Sequence, residues 1–209
     1  RQEINDLKVF PVADGDTGDN MVLTLQSCVD ELDRLASDVG DESLDEIGRE
    51  EIVDLVARAA LLGARGNSGV ILSQLIRGAA EELISRPGEL VDPVLIGSAM
   101  MSAANRAYSS VREPAEGTML TVVREMATRV ATELAHLPDA ETRLGPDADP
   151  EEQNALIAAI LAAALALGAA VTGIGGVWAL VLAIGLFFIA FGVVAANGTT
   201  LALGPHATH

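Results

Sequence analysis

The sequence predicts an all-helical fold, and three observations support this prediction. Half of the 209 residues are apolar but only 3% are aromatic. Ala, Leu and Val dominate the apolar set, a composition that favours helix over strand. Apolar side chains recur at helical spacing through most of the chain, whereas no alternating pattern is long enough to predict a strand. We therefore expect six to eight helices packed around one core.

Polar and glycine-rich turns divide the helical pattern into seven segments. The first segment places Met21, Cys28 and Leu35 at helical intervals. Glycine and proline mark the ends of later segments. The predicted helices span residues 19–35, 44–62, 70–85, 93–111, 118–137, 155–170 and 177–196, with exposed loops at 37–45 and 138–150. Cys28 and Tyr108 are predicted to lie in the core.

The charge of the chain restricts its partners. Its formal net charge is −17, which excludes nucleic-acid binding through phosphate contacts. An anionic nucleotide would need metal ions to offset this charge. The single cysteine excludes an internal disulfide and fits a reducing, cytoplasmic location. The first residues are polar and lack a signal peptide, and the absence of an initial Met suggests an excerpt whose first helix is truncated.

An acidic loop at residues 14–20 (DGDTGDN, loop 1) is the first candidate site. Asp14 and Asp16 can converge on a hard cation such as magnesium, which prefers carboxylate oxygens. The loop leads into a helix whose first N–H groups are free to meet an anion. A solvated acidic turn explains this loop equally well, but an EF-hand does not, because its twelfth position is Leu25.

Two further glycine-bearing loops also precede helices. They are residues 63–69 (GARGNSG, loop 2) and residues 114–119 (PAEGTM, loop 3). Glycine lets a backbone approach a phosphate closely, and Ser and Thr add hydroxyl donors. Each loop alone is explained as a capped turn between helices, and loop 2 lacks the lysine of a Walker A motif. Three such loops at one end of a bundle would surround an anion with helix N-termini.

Three segments, LKVFPVADGDTGDNM, GARGNSGVILSQ and EPAEGTMLTVVRE, resemble the signature segments of the DhaL (Dak2) nucleotide-binding domain. The nearest resemblance is to the N-terminal domain of the ATP-binding subunit of bacterial fatty acid kinase. It covers about residues 4–150 in matching order. It implies that residues 1–209 are a single domain, an antiparallel barrel of about eight helices with ATP or ADP and two magnesium ions at one rim.

The resemblance also implies roles for individual residues. Asp14 and Asp16 correspond to the metal-binding aspartates on which catalysis depends, and Asp19 adds a third carboxylate as a candidate ligand. The implied nucleotide-contacting residues are Thr17, Asn20, Gly66, Asn67, Ser68, Gly69, Gly117, Thr118 and Met119.

Three residues depart from the family pattern. Asn usually stands at the position of Lys8, Thr at that of Asp19, and Asp at that of Gly173 in a late glycine-rich turn. Lys8 either contacts phosphate or crowds the metals, and Asp19 either binds metal or repels the nucleotide. Arg65 and Arg124 either balance phosphate charge or form ordinary surface ion pairs.

Residues 155–196 contain no Asp, Glu, Lys or Arg. Each arm of this segment is about long enough to span a bilayer, so a membrane-inserted helical hairpin is one interpretation. The other is that the arms are the last helices of the barrel, buried within the domain or against neighbouring domains. Cytoplasmic location with membrane association follows from the first interpretation.

The resemblance implies a kinase domain that transfers the γ-phosphate of Mg·ATP to a fatty acid carboxylate. The fatty acid would be presented by a separate acyl-binding protein, and further domains would mediate a homodimer. One alternative keeps the fold but makes dihydroxyacetone the acceptor. Another is a non-catalytic nucleotide-binding or membrane-tethered interaction module, which Lys8, Asp19 and Gly173 favour.

Overall fold

The computed structural model describes residues 16–39, 47–86 and 91–136, which form five α-helices without a strand. The helices are α1 (Thr17–Val39), α2 (Arg49–Leu62), α3 (Gly66–Ile84), α4 (Pro93–Ser110) and α5 (Met119–Ala135). The all-helical prediction is therefore confirmed. The predicted helices at 155–170 and 177–196, and with them the closure of a barrel, lie outside the described residues.

Consecutive helices run antiparallel. Arg49, at the start of α2, donates to the carbonyl of Arg86 just beyond the end of α3, at 2.7 Å. Arg106, near the end of α4, donates to Gln74 in the first half of α3, at 3.2 Å. The start of α2 therefore meets the end of α3, and the end of α4 meets the start of α3.

Helix α1 packs against both α2 and α3. The Cys28 thiol contacts the carbonyl of Val56 at 3.7 Å, and the backbone N–H of Arg65 donates to the Thr24 hydroxyl at 3.1 Å. The first half of α1 thus lies beside the end of α2 and the start of α3. Because the helices alternate in direction, the N-termini of α1, α3 and α5 lie at one end of the bundle.

Small side chains bring α3 and α4 close together. Both helices carry buried alanines, Ala79 and Ala80 in α3 and Ala99, Ala103 and Ala107 in α4. Gly78 lies directly against the backbone of α4, where a β-carbon would come within 2.7 Å of the Ser102 carbonyl oxygen. Close approach at this position is possible only without a side chain, because protein interiors are close-packed.

The core contains the only cysteine of the chain. Cys28 is buried, as predicted, and burial raises the pKa of its thiol to about 11. Tyr108 is half-buried and packs against the core rather than within it. Long apolar side chains complete the packing, among them Leu83, Leu95 and Met126.

Several predicted boundaries were wrong. Helix α1 begins at Thr17, two residues before its predicted start, and it continues through residues 37–39, which were predicted to be a loop. Residues 47 and 48 are not helical, since α2 begins at Arg49. Helix α3 begins at Gly66 rather than residue 70, because the Gly69 N–H already donates to the Arg65 carbonyl at 2.9 Å. Gly66 and Gly69 of loop 2 resemble a turn in sequence but belong to the first turn of a helix.

Within residues 16–39, 47–86 and 91–136, no helix is both long and apolar enough to cross a membrane. The hairpin predicted for 155–196 lies outside these ranges, so its two interpretations stay open.

We expect Gly78→Ala to destabilise the fold even though alanine raises helix propensity by about 1 kcal/mol. The new β-carbon would meet the Ser102 carbonyl oxygen at 2.7 Å and the Ala103 Cα at 2.8 Å, which are backbone atoms and cannot rotate away. Helices α3 and α4 would have to separate, at a net loss of about 1–3 kcal/mol. Urea unfolding followed by far-UV circular dichroism measures this loss.

Gly97→Ala is the matched control, because its β-carbon would meet the end of the flexible Leu134 side chain at 2.7 Å. That side chain can shift, so we expect a change within about 1 kcal/mol. Equal losses in the two variants would contradict the close approach inferred at Gly78.

Candidate functional site

Two buried side-chain oxygen atoms in the described part of loop 1 lack a hydrogen-bond partner within the described residues. Asp16 precedes α1, and its carbonyl accepts from the Asn20 N–H at 2.9 Å. Its side-chain Oδ1 and the Oγ1 of Thr17 are buried and have no hydrogen-bond partner in the described part of the chain. Buried polar atoms are normally satisfied, and an unpartnered carboxylate oxygen is costly. The pair therefore indicates a place for an external ligand such as a cation.

Loop 2 lies directly on the first turns of α1. Gly66 adopts the left-handed region, with φ of 55°, and a β-carbon there would lie 2.2 Å from the Asn20 Nδ2. The buried Ser68 hydroxyl donates to the Thr17 carbonyl at 3.3 Å. Four of the predicted site residues thus come together across two loops, and the exposed Asn67 lies beside them in the first turn of α3.

Thr24 connects the two loops and was missed from the sequence. It is fully buried. Its hydroxyl donates to the Asn20 carbonyl at 2.7 Å and accepts from the Arg65 N–H at 3.1 Å. A β-carbon on Gly69 would lie 2.4 Å from the same hydroxyl. The four-residue spacing from Asn20, which puts both side chains on one helix face, was the available signal.

Loop 3 ends at the N-cap of α5. The Thr118 hydroxyl accepts from the Leu120 N–H at 3.3 Å and donates to the Ala115 carbonyl at 2.8 Å. Gly117 is left-handed, with φ of 75°, and a β-carbon there would meet nothing within 4 Å. The loop surface at Gly117 is thus open, as a ligand-facing loop requires. Met119, by contrast, is buried with the core.

A connected group of side chains beyond the motif residues ties loop 3 to the helices. The Glu116 carboxylate accepts from the Thr121 hydroxyl and from the Arg124 guanidinium, each at 2.7 Å. These two hydrogen bonds, with that from Thr121 the larger cause, hold the pKa of Glu116 below its ordinary value. The Arg124 guanidinium also lies over the Tyr108 ring, 4.3 Å from its centroid.

The three loops share one end of the bundle. Loops 1 and 2 are in direct contact, and the antiparallel order of α3, α4 and α5 brings loop 3 to the same end. Asp14, Lys8 and Gly173 lie outside the described residues. Within the described ranges, no group of three or more His, Cys, Asp or Glu could hold a metal ion. The set of Asp14, Asp16 and Asp19 as ligands for two magnesium ions stays a prediction.

The two arginines singled out from the sequence differ in their surroundings. Arg124 forms an ion pair with Glu116. Arg65 is exposed, and no carboxylate pairs with it in the described part of the chain. Its backbone N–H is fixed by the Thr24 hydroxyl. Of the two arginines, Arg124 is therefore the one committed to a carboxylate within the described residues.

The chain is similar to several known proteins. A family model described as the DAK2 domain matches residues 11–145, which include all three loops. Protein YloV of Bacillus subtilis (strain 168) is 36% identical over 126 residues, covering 60% of this chain and 21% of YloV. An uncharacterized protein of Staphylococcus aureus (strain bovine RF122 / ET3-1) is 38% identical over 133 residues, covering 64% of this chain and 22% of that protein. The chain thus matches about a fifth of each relative's length.

We expect Gly66→Ala to destabilise the protein more than Gly117→Ala. Both residues have positive φ, so both substitutions carry backbone strain of about 1–2 kcal/mol. Only at Gly66 does the added carbon also collide with a neighbour, the Asn20 side chain at 2.2 Å, whereas Gly117 faces open space. Thermal unfolding of both variants should show the larger loss for Gly66→Ala. The reverse order would contradict the contact between loops 1 and 2.

Thr24→Val is expected to lower the free energy of unfolding by about 1–3 kcal/mol, because the Arg65 N–H loses its buried acceptor. Thr24→Ser keeps the hydroxyl and serves as the matched control. Amide hydrogen exchange at Arg65 should accelerate in the valine variant and change little in the serine variant. Unchanged exchange in the valine variant would show that the hydroxyl does not hold loop 2.

Proposed function

The chain belongs to the DAK2 domain family, whose members are nucleotide-binding, kinase-related domains, and from that premise we propose that loops 1, 2 and 3 bind Mg·ATP for phosphoryl transfer. The observation that carries this proposal is the unpartnered, buried Asp16 Oδ1 at the start of α1. Magnesium prefers carboxylate oxygens and commonly shares its coordination with nucleotide phosphates. Asp14, two residues earlier, is the second ligand in this proposal.

Contacts around Asp16 support a phosphate site beside it. The N-termini of α1 and α3 are held together by the bond from Ser68 to the Thr17 carbonyl, so two helix dipoles favour negative charge at the same place. Gly66 and Gly69 leave the room that the Asn20 and Thr24 side chains occupy, so the two N-termini lie close together.

Charge is the main obstacle to ATP binding by this chain. With a formal net charge of −17, the protein repels a nucleotide at long range. Phosphoryl transfer depends on positioning and on neutralising charge more than on covalent chemistry by the protein. Asp16 would hold the divalent ion that supplies most of the neutralisation. Arg65, which has no ion-pair partner in the described residues, would supply a protein cation.

We propose a fatty acid carboxylate as the acceptor, presented by a separate acyl-binding protein. The residues of two motifs, DGDTG in loop 1 and EGTML at loop 3, support this branch of the family over the dihydroxyacetone branch. The reaction would break the bond between the γ-phosphorus of ATP and the oxygen that bridges it to the β-phosphorus. A carboxylate oxygen would bond to the γ-phosphorus instead, which gives an acyl phosphate and ADP. Dimerisation through further domains belongs to the same proposal.

Calorimetric titration of the chain with ATP, with and without magnesium, tests the site. We expect magnesium-dependent binding by the wild type and a loss of at least about tenfold in affinity for Asp16→Asn, which keeps the side-chain shape but removes the charge. Asp30→Asn is the matched control, because Asp30 is an exposed carboxylate on the same helix. Absence of magnesium-dependent binding by the wild type, or equal losses in both variants, would refute the proposed site.

The acceptor is tested separately by measuring ADP release with each candidate. Release that requires the protein-bound fatty acid supports the proposal. Release that requires dihydroxyacetone instead would make that molecule the acceptor, and binding without release to either would favour a non-catalytic module.

A further inference from the structure

Four side chains connect loop 3 to the ends of two helices, and we call them the clasp. Its members are Glu116 in loop 3, Thr121 and Arg124 in the first two turns of α5, and Tyr108 in the last turn of α4. Glu116 accepts from Thr121 and Arg124 at 2.7 Å each, and Arg124 lies 4.3 Å from the Tyr108 ring centroid. None of these four residues belongs to the predicted nucleotide-contacting set.

The clasp fixes the part of loop 3 that is otherwise most exposed. The Thr121 hydroxyl accepts from the Gly117 N–H at 3.0 Å while it donates to Glu116. The Glu116 side chain and the Gly117 N–H are thus both hydrogen-bonded to the Thr121 hydroxyl. Gly117 is held in its left-handed conformation with an open face.

The planar guanidinium of Arg124 lets this residue contact Glu116 and Tyr108 at the same time. A guanidinium is planar, so one face stacks on an aromatic ring while its edge donates to a carboxylate. The Glu116–Arg124 pair alone would contribute little, since both side chains are substantially exposed, at 64% and 42%, and exposed ion pairs are weak. The stacking on Tyr108 is what restricts where Arg124, and therefore Glu116, can lie.

We propose that the clasp positions loop 3 for nucleotide binding, and that Arg124 is a positioning residue rather than a phosphate ligand. This inference rests on the proposed Mg·ATP site. The guanidinium is committed to Glu116 on its edge and to Tyr108 on its face. Arg65, which has no ion pair in the described ranges, stays available for direct contact with phosphate.

Glu116→Gln separates positioning from ligation. If the clasp positions loop 3, loss of the carboxylate releases the loop, and the affinity for Mg·ATP falls by about threefold or more. If Arg124 were instead a phosphate ligand held back by Glu116, the same variant would free it, and affinity would stay constant or rise. Calorimetric titration distinguishes the two, and constant or increased affinity overturns the inference.

Arg124→Lys provides a second measurement, since it keeps the charge but loses the stacked plane. We expect a loss of affinity similar to that of Glu116→Gln. The double variant should bind no worse than either single variant, because both remove the same network. Fully additive losses would indicate independent roles and overturn the inference. Glu133→Gln, which removes an ion pair with Arg129 farther along α5, is the control and should leave affinity unchanged.

Tyr108 gives a direct reading of the clasp, because it is the only tyrosine in the chain. NMR of selectively labelled tyrosine should show its ring signals shift in Arg124→Lys and Glu116→Gln but not in Glu133→Gln. Unshifted signals would mean that the stacking does not exist in solution. Wild-type protein that lacks Mg·ATP binding would refute the proposed function, whereas binding that is unaffected in Glu116→Gln would refute only the clasp.

Discussion

The first turns of α1 and the start of α3 lie so close together that a β-carbon at either of two glycines in α3 would collide with α1. Gly66 and Gly69 leave no room for a β-carbon beside Asn20 and Thr24, and the Thr24 hydroxyl satisfies a backbone group from each side. The rest of the site depends on this constraint. Because the N-termini of α1 and α3 meet there, the proposed Mg·ATP site can use the N–H groups of both helices.

The distribution of charge in the described residues explains why the close contact of α1 and α3 matters for ligand binding. Most surface arginines in the described residues are neutralised locally by carboxylates one helical turn away, as in Arg58 with Asp54 and Arg129 with Glu133. Such pairs leave little positive charge for an external anion. In the proposed site, a cation held by Asp16, the two helix N-termini and Arg65 would supply the positive charge that a polyphosphate needs. The acidic character of the protein and its family's nucleotide chemistry are compatible for this reason.

The helical class could be predicted from the sequence because composition and periodicity act locally. All five described helices were predicted, with boundaries displaced by a few residues, and one of the boundary errors concerned glycine. In loop 2 the glycines indicated a turn, yet only Gly66 is left-handed, and the residues after it continue as helix. The position of each glycine-bearing loop before a helix also suggested that the loops gather at one end of the bundle. The spacing of Thr24 from Asn20 marks its helix face, but its bond to Arg65, 41 positions away, follows from no local pattern. Likewise, Glu116 lies in loop 3, outside the helix that carries Arg124, so helical periodicity does not predict their contact.

The burial of Cys28 between α1 and α2 has a practical consequence. Thiolate is the reactive form of cysteine, and with a pKa of about 11 the packed thiol is almost entirely protonated at neutral pH. A thiol reagent should therefore modify this chain only in molecules whose α1–α2 contact has opened. The rate of labelling at this single atom then reports the free energy of local opening beneath loops 1 and 2. Substitutions that act on a ligand can in this way be told apart from those that loosen the scaffold under it.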